Sequence, residues 1–222
     1  TFNNLAYLKL CIESLKKNSK YNHQIIPHVN VGDDGTADYL QNIGLDYTYT
    51  KYNAGICKGM NSAAKKARYE YILYSHDDFY FCPGWDIELK NEVDKIGHKN
   101  FYISGTMIGT SGEYSLDCGD NINNFNEKKL LDNLDKIKTF NFQGTTKCPG
   151  VVHIDTWRKV GGWSEEFSPT GGDDTDFAMK LWKNNVKHKV ICNTPRGACR
   201  HCQILECFCR ICKNLKKTPE NE

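Results

Sequence analysis

A chain of 222 residues is long enough to bury the core of one sizeable domain with at most a small appendage. Hydrophobic residues make up 39% of it and aromatic residues 12%, which excludes a wholly disordered or collagen-like chain. The 29 basic and 27 acidic side chains leave a formal net charge of +2, a basic excess too small to favour binding to nucleic acid or to an anionic membrane surface.

The sequence does not indicate membrane insertion or secretion. No run of about 20 apolar residues is present, so no transmembrane segment is predicted. The 11 cysteines are odd in number and crowd towards the C-terminal end, which is not typical of a secreted disulfide scaffold. We therefore expect a soluble protein that is cytoplasmic or faces a reducing compartment.

The periodicity of apolar residues predicts helices that alternate with short strands. In chain order, the pattern predicts a helix over residues 5–15, a strand over 25–31, a short helix over 37–43, a strand over 47–50, a helix over 59–68, a strand over 71–74, a helix over 85–96, a strand over 101–108, a long loop over 109–127, a short helix over 130–137, a strand over 151–154 and a helix over 177–182. This alternation predicts an α/β fold in which a mainly parallel central sheet is flanked by helices.

Acidic side chains are concentrated where such a fold binds its ligands. In an open α/β sheet, the ligand crevice lies beyond the carboxyl ends of the strands. Three acidic clusters fall there or on neighbouring loops: Asp33-Asp34, Asp77-Asp78, and Asp173-Asp174 with Asp176. Their coincidence at one predicted edge is the strongest functional signal in the sequence.

The pair Asp77-Asp78 directly follows the apolar strand predicted over residues 71–74. Adjacent carboxylates repel each other unless a cation or hydrogen bonds compensate. Mg²⁺ and Mn²⁺ prefer carboxylate oxygens, often from one or two side chains together with substrate phosphates. A solvated turn is the alternative interpretation, and the position at a strand end favours a site for a metal ion and a diphosphate.

The pair Asp33-Asp34 lies between Gly32 and Gly35 at the end of another predicted strand. Glycine and aspartate favour turns for backbone reasons, which is one interpretation of this segment. The other interpretation is a carboxylate that accepts hydrogen bonds from a nucleobase or a ribose. The residues of the turn alone leave both possibilities open.

The third cluster begins an apolar helix, where carboxylates can cap the helix and are favoured by its dipole. The functional alternative is that Asp174 or Asp173 acts as a general base on a hydroxyl group. Shortly before this cluster, Gly162 and Trp163 predict a loop of close approach with an aromatic wall that stacks on a sugar.

The order and spacing of these motifs resemble those of family 2 glycosyltransferases with the GT-A fold. The matching stretches are Thr1-Phe2-Asn3-Asn4, residues 31–36, Asn53-Ala54-Gly55, residues 71–78 followed by Cys82-Pro83-Gly84-Trp85, and residues 161–167 leading into Asp173-Asp174-Thr175-Asp176. The resemblance extends from residue 1 to about residue 190. It implies a single Rossmann-like GT-A domain over residues 1–198 whose first strand is mostly missing from this chain, followed by a Cys-rich basic tail over residues 199–222.

The resemblance also implies a role for each matched residue. It implies a nucleotide site formed by Asp34, Asp33, Thr1, Phe2, Lys58, Asn61 and Asp77. It implies that Asp78 is a direct ligand of a divalent cation, Mn²⁺ or Mg²⁺. Asp174 is implied as the general base with Asp173 as the second candidate, and Gly162 and Trp163 as the border of the sugar and acceptor site.

The activity implied by the resemblance is a metal-dependent transfer of a hexose from a UDP-sugar to an acceptor hydroxyl with inversion. The cation would stabilise charge on the leaving diphosphate, and general-base help from a carboxylate is worth roughly 10²–10⁴-fold. The acceptor is a glycan, a protein or a lipid. One departure concerns the triplet His76-Asp77-Asp78, in which a histidine replaces the first acid of a strict Asp-x-Asp motif.

The C-terminal tail suggests two further metal sites. The resemblance makes His201 a candidate to complete the shell of the catalytic metal, and the alternative is a surface histidine in a basic tail. The spacing of four cysteines, Cys199, Cys202, Cys209 and Cys212, is that of a structural zinc site. Free thiols or partial disulfides are the alternatives to zinc.

Two other functions compete with a glycosyltransferase. A degenerate, inactive GT-A domain could act as a binding module whose tail recruits a partner through zinc. A sugar-nucleotide pyrophosphorylase shares much of the architecture, but it needs a Gly-rich phosphate loop with Arg or Lys near its start. No such loop is visible in this sequence.

Overall fold

The structure is a computed structural model that describes residues 1–109, 115–137, 148–169, 171–190 and 201–202. The helices in this part of the chain are α1 (Leu5–Asn18), α2 (Thr36–Asn42), α3 (Gly55–Ala64), α4 (Trp85–Ile96), α5 (Glu127–Asn133), α6 (Ile154–Val160) and α7 (Asp173–Lys183). The strands are β1 (His28–Asn30), β2 (Thr48–Thr50), β3 (Tyr71–Tyr74), β4 (Phe101–Ser104), β5 (Met107–Ile108), β6 (Gly150–His153), β7 (Lys187–Val190) and β8 (His201–Cys202).

The strands form one larger sheet and two short parallel pairs. The larger sheet has the order β3-β6-β4-β7. Strand β6 is antiparallel to both β3 and β4, whereas β7 is parallel to β4, so three of these four strands point in the same direction. The pairs β1-β2 and β5-β8 are parallel. The predicted α/β fold is therefore confirmed, with the refinement that its largest sheet is mixed.

Local differences from the predicted elements have identifiable causes. Helix α3 begins at Gly55, earlier than predicted, because the Oδ1 atom of Asn53 accepts a hydrogen bond from the Gly55 N–H at 3.0 Å and starts the turn. Helix α5 begins at Glu127, because Asn126 Oδ1 accepts a hydrogen bond from the Lys129 N–H at 2.8 Å. The segment 101–108 forms two strands rather than one.

Helices cover both faces of the larger sheet. Successive side chains of a strand point to opposite faces, and the buried clusters follow this alternation. Ile103 and Val151 pack in a cluster with residues of α4. Tyr102 and Val152, their chain neighbours, pack instead with residues of α6 and α7. Burial of each such apolar side chain contributes about 1.5–3 kcal/mol, so these two cores hold α4 and α7 on opposite sides of the sheet.

The described residues bear on two further expectations. No helix among them is long and apolar enough to cross a membrane. The cysteines whose side chains are described, namely Cys11, Cys57, Cys82, Cys118 and Cys148, are free thiols. Burial raises the pKa of the Cys57 thiol to about 11, so this thiol stays protonated at neutral pH.

A buried carboxylate anchors the connection between α1 and β1 to helix α4. The Oδ2 atom of Asp86 accepts hydrogen bonds from the Lys20 N–H and the Tyr21 N–H, both at 2.8 Å, and lies 2.9 Å from Nε2 of His23. Asp86 stands in the first turn of α4, where the helix dipole favours a negative charge. It therefore satisfies two backbone donors of a segment that has no regular structure.

Replacement of this carboxylate should destabilise the fold. Asp86→Ala is expected to lower the free energy of unfolding by about 2 kcal/mol, because it leaves two partly buried N–H groups without their acceptor. Urea denaturation measures the change. The matched control is Asp94→Ala in the same helix, which removes an exposed ion pair to Lys90 worth only about 0.3–0.5 kcal/mol. An equal decrease in the free energy of unfolding in both variants would contradict the anchoring role of Asp86.

Candidate active site

The paired carboxylates Asp77 and Asp78 lie in the loop that follows β3. Asp78 is buried, with 6% of its surface exposed. Burial and then the charge of Asp77 raise the pKa of Asp78 to about 7. The Oδ2 atom of Asp77 is also buried, and it accepts no hydrogen bond from the part of the chain that the structure describes. A positive charge between two carboxylates in such surroundings would stabilise their ionised forms.

These carboxylates fit a divalent cation that arrives with a diphosphate. Among the described residues, no group of three or more His, Cys, Asp and Glu side chains is arranged to hold a metal ion by itself. Mg²⁺-type cations are commonly held by one or two carboxylates, with substrate phosphates and water completing the shell. The carboxylates of Asp77 and Asp78 match that arrangement. The buried Oδ2 atom of Asp77 has unused capacity to bind a cation.

The histidine of the triplet is occupied inside the protein. His76 Nε2 lies 2.6 Å from the hydroxyl of Tyr74, and its ring stacks on Phe79 at 5.5 Å. Burial lowers the pKa of His76, although the charges of Asp77 and Asp173 oppose this shift. His76 is therefore a neutral, half-buried residue whose ring is hydrogen-bonded within the protein. The charge of Asp173 therefore contributes to the electrostatic surroundings of His76.

The turn after β1 holds the second acidic pair in a strained backbone. Val31 adopts φ of +67° and Gly32 adopts φ of +80°. Left-handed backbone is rare for a β-branched residue such as valine and costs of order 1–3 kcal/mol. A Cβ atom at Gly32 would lie 2.7 Å from Val29 Cγ1, so only glycine fits there. Asn3 Oδ1 accepts hydrogen bonds from the N–H groups of Gly32 (3.0 Å) and Asp33 (2.9 Å) and fixes this turn.

The two carboxylates of this turn have different roles. Asp34 Oδ2 accepts a hydrogen bond from the Leu5 N–H at 2.8 Å, at the start of α1. Asp34 Oδ1 accepts from the hydroxyl of Thr36 at 2.6 Å and from its N–H at 3.2 Å, at the start of α2. Both oxygens of Asp34 thus accept hydrogen bonds at helix starts, and its role as a nucleotide contact stays a prediction. Asp33 is exposed beside it.

The first two residues lie between the two acidic pairs. The Thr1 nitrogen donates a hydrogen bond to His28 O at 2.8 Å and lies 4.0 Å from Asp77 Oδ2. Phe2 forms a parallel bridge with Asn30, and 47% of its surface is exposed. This segment therefore connects the end of β1 to the loop after β3, and it leaves an aromatic ring open to solvent at that edge.

Helix α3 contributes one exposed cation to the same edge. Lys58 Nζ donates a hydrogen bond to the Tyr52 hydroxyl at 2.9 Å, and this bond raises the pKa of the exposed ammonium group. The buried amide oxygen of Asn30 accepts from the Ala54 N–H at 2.8 Å and from the Thr50 hydroxyl at 3.0 Å. The loop before α3 is thereby attached to the end of β1.

Trp163 and Asn61 contact each other inside the protein, and the roles expected of them in the site stay predictions. Only 2% of Trp163 is exposed, and its ring stacks on Phe177 at 5.0 Å with an interplanar angle of 9°. Phe177 covers one face of this ring and Tyr74 also packs against it, which leaves little of the ring exposed. Asn61 uses its side-chain amide on the backbone of Trp163, donating to its carbonyl at 2.8 Å and accepting from its N–H at 3.0 Å. Gly162, with φ of +63°, lies against the same amide.

The candidate bases begin helix α7. Asp173 has 8% of its surface exposed, and its Oδ1 atom accepts a hydrogen bond from the Gly171 N–H at 2.9 Å. Asp174 is exposed, and its Oδ1 atom accepts from the Thr175 N–H at 2.7 Å. Asp174 therefore presents its carboxylate to solvent in the first turn of α7.

The tail predictions fall mostly outside the described residues. His201 is placed in β8, where its backbone pairs with Met107, but its side chain lies outside the described part. The same holds for the side chain of Cys202, and Cys199, Cys209 and Cys212 lie entirely outside it. Neither the zinc site nor the histidine ligand can therefore be located.

Sequence reasoning missed the side chains that hold the loops together. Asn3 and Asn30 fix the turn after β1, and Ser164, Asp176 and Lys180 attach the loop before α7 to that helix. The i, i+4 spacing of Asp176 and Lys180 is the one sequence signal that could have indicated a pair.

Comparison with known proteins identifies the family. The family model described as Glycosyl transferase family 2 matches residues 1–147. The chain belongs to glycosyltransferase family 2. The match includes the turn after β1 and the loop after β3, so it covers two of the three acidic clusters, and it ends before α7. No curated protein sequence matches the chain.

Solved structures identify the fold. TarS of S. aureus, residues 1–349, is similar with a TM-score of 0.65 and 16% identity over 91% of this chain and 58% of TarS. TarS in complex with UDP is similar with a TM-score of 0.66 and 16% identity over 90% of this chain and 57% of TarS. GalNAc-T7 with UDP, GalNAc and Mn²⁺ is similar with a TM-score of 0.62 and 15% identity over 88% of this chain and 41% of GalNAc-T7. At these identities the similarity shows the fold alone, which is GT-A as expected, and the chain spans less than two thirds of each neighbour.

The helix-capping role of Asp34 predicts a pH-dependent loss of stability in its variant. Burial alone would raise the pKa of Asp34, but hydrogen bonds from the Thr36 hydroxyl, the Leu5 N–H and the Thr36 N–H outweigh it and lower the pKa. The stabilisation is therefore present above the ordinary carboxyl pKa and is lost as the pH falls through the folded value. Asp34→Ala should cost about 1–2 kcal/mol at neutral pH and less near pH 3.

Urea denaturation at both pH values measures this effect. Asp33→Ala in the same turn is the control, and its stability should match the wild type. A loss in Asp34→Ala that does not diminish in acid would show that the ionised cap is not its cause.

Proposed function

We propose that this chain is a metal-dependent glycosyltransferase that moves a hexose from a UDP-sugar to an acceptor hydroxyl with inversion. The observation that carries the proposal is the pair Asp77-Asp78, two adjacent carboxylates at a strand end, of which the buried one has a raised pKa. Family 2 membership supports the transfer of a sugar from a nucleotide. We assign the catalytic domain to residues 1–198 and treat residues 199–222 as a separate tail.

The donor nucleoside is proposed to bind at the turn after β1. Asp33 offers an exposed carboxylate for a base or a ribose, while Asn3 holds its backbone. The exposed ring of Phe2 offers a face for stacking on the base. Lys58 supplies a positive charge at the rim for the diphosphate. The neighbours TarS and GalNAc-T7 were each solved with UDP, which supports uridine as the nucleoside.

The donor diphosphate is proposed to bind beside Asp77 and Asp78 together with a divalent cation. When bound, Mn²⁺ or Mg²⁺ would stabilise the negative charge that develops on the leaving nucleoside diphosphate. Asp78 and the buried Oδ2 of Asp77 are the oxygens that would hold it. The GalNAc-T7 structure contains Mn²⁺, which supports a divalent cation in this fold.

Asp174 is proposed as the general base. Its carboxylate is exposed in the first turn of α7 and can meet an acceptor, whereas Asp173 is buried and accepts a hydrogen bond from Gly171. Asp174 would take the proton of the acceptor hydroxyl as the oxygen attacks the anomeric carbon. Attack from the face opposite the diphosphate inverts the configuration of that carbon.

A degenerate binding module is the competing function, and one observation favours it. His76 stands at the first position of the Asp-x-Asp motif, and its ring is bound to Tyr74 rather than directed at a ligand. A module would bind nucleotide without turnover. Release of nucleoside diphosphate from a donor in the presence of acceptor therefore separates the two functions.

Nucleotide binding should depend on both the metal and Asp78. UDP at 100 times its Kd should stabilise the protein by about 2.7 kcal/mol, seen as a rise in Tm when Mn²⁺ is present. EDTA or Asp78→Ala should remove most of this rise, because the carboxylate no longer holds the cation beside the diphosphate.

Two controls accompany this measurement. Asp94→Ala, an exposed substitution on α4, should keep the full rise, and ADP and GDP should give a smaller one. The absence of a rise with every nucleoside diphosphate in the folded protein would contradict the proposed donor.

Loss of the base should abolish transfer and spare binding. Asp174→Asn is expected to lower kcat by about 10²–10⁴-fold, because the amide cannot accept the proton. The UDP-induced rise in Tm should stay within error of the wild type. Asp38→Asn, an exposed substitution on α2, is the control. Wild-type turnover in Asp174→Asn would transfer the assignment to Asp173.

A further inference from the structure

The loop over residues 162–165 is held from helix α3 by one side chain. Asn61 accepts a hydrogen bond from the Trp163 N–H at 3.0 Å and donates to the Trp163 carbonyl at 2.8 Å. It also donates to Glu165 Oε1 at 3.1 Å. An amide that donates to and accepts from the backbone of one residue fixes both the position and the orientation of that residue. A Cβ atom on Gly162 would lie 2.5 Å from Asn61 Oδ1, so the close approach also requires glycine.

The same loop is held from helix α7 by an ionic network. Lys180 Nζ donates to the Gly162 carbonyl and to Ser164 Oγ, both at 2.9 Å. Ser164 Oγ donates to Asp176 Oδ2 at 2.6 Å, and Lys180 Nζ lies 3.9 Å from the same oxygen. Hydrogen bonds with a charged partner are roughly twice as strong as neutral ones. Lys180 and Asp176 thus attach the loop to the helix that begins with the candidate bases.

These contacts connect the two halves of the candidate site. Helix α3 follows the loop over residues 53–54, which Asn30 attaches to the end of β1 beside the turn of the proposed donor site. Further along the chain, Ile56 N–H donates to the Pro169 carbonyl at 3.1 Å, and Ser168 Oγ donates to the Ala54 carbonyl at 3.0 Å. The segment over residues 162–169 is therefore bound to α3 at two points and to α7 at one, just before Asp173.

We propose that Asn61 and Lys180 are positioning residues for glycosyl transfer: by holding the loop 162–165 between α3 and α7, they set the position of the Asp174 carboxylate relative to the bound donor. The inference rests on the function proposed above. Neither residue touches the reacting atoms. Their effect comes from the fixed distance between the donor side and the base side of the site.

The expected signature is a loss of kcat without a loss of donor binding. Lys180→Met keeps the aliphatic length of the side chain but removes the charge and the donors. Because a displacement of about 1 Å at the reacting groups can cost about 10²-fold, its kcat should fall by about 10–100-fold. The KM for the donor and the UDP-induced rise in Tm should remain within about twofold of the wild type. Lys180→Arg, which retains the charge and its donors, should recover most of the activity.

Asn61→Ala should reproduce the kcat defect from the other side of the loop. In the double variant of Asn61→Ala with Lys180→Met, the fold-decrease in kcat should be smaller than the product of the two single decreases, because both residues act on one loop. Lys183→Met, an exposed lysine of the same helix, and Asn42→Ala, an exposed asparagine of α2, are the matched controls and should leave kcat unchanged. Ser164→Ala provides a milder test if Asn61→Ala does not fold.

The outcomes separate this inference from the proposed function. Variants that lose Tm but keep wild-type kcat when folded would show a structural role only and overturn the inference. A parallel loss of donor KM and UDP binding would instead assign these residues to the nucleotide site, which also overturns it. Absence of transfer by the wild-type protein would overturn the proposed function and this inference together.

Discussion

Repulsion between the adjacent carboxylates Asp77 and Asp78 is the constraint on which the rest of the site depends. Asp78 is buried in the loop after β3, where burial and the charge of Asp77 disfavour its ionisation and raise its pKa to about 7. This repulsion costs the free protein stability. In the proposed function a cation and a diphosphate would relieve this cost, because the ligand would gain binding energy from the same charges that destabilise the free protein.

The residues below these carboxylates keep that negative charge available. His76 would offset it if its ring carried a proton, but burial lowers its pKa and the hydroxyl of Tyr74 occupies its Nε2 atom. The ring of Trp163 lies 4.9 Å from that of Tyr74 and stacks on Phe177 of α7. The support of the carboxylates is therefore neutral, aromatic and rigid. It also connects β3 with the helix of the proposed base, so charge and geometry at the site are set by one core.

The sequence predicted the α/β alternation and the three acidic clusters, because both are local patterns of apolar spacing and charge. The sequence did not predict which acid of a cluster caps a helix. Asp34 accepts its hydrogen bond from the N–H group of Leu5, which is far away along the chain. Trp163 was expected in a sugar site because it stands in a glycine loop, yet packing against Phe177 buries it. The direction of β6 was equally unpredictable, because strand pairing depends on contacts that no single segment encodes.

The long-range polar contacts explain why the loop before α7 is built as it is. Asn61 and Trp163 are 102 residues apart in sequence, and ordering such a contact costs conformational entropy that one neutral hydrogen bond scarcely offsets. Asn61 offsets this cost with several hydrogen bonds from one amide. Lys180 and Asp176 offset it with hydrogen bonds that have a charged partner. Stability alone could have been obtained from another apolar contact. Directional bonds from two helices instead fix the orientation of the loop, which is the property that the proposed base on α7 and the proposed donor site at the ends of β1 and β3 would require.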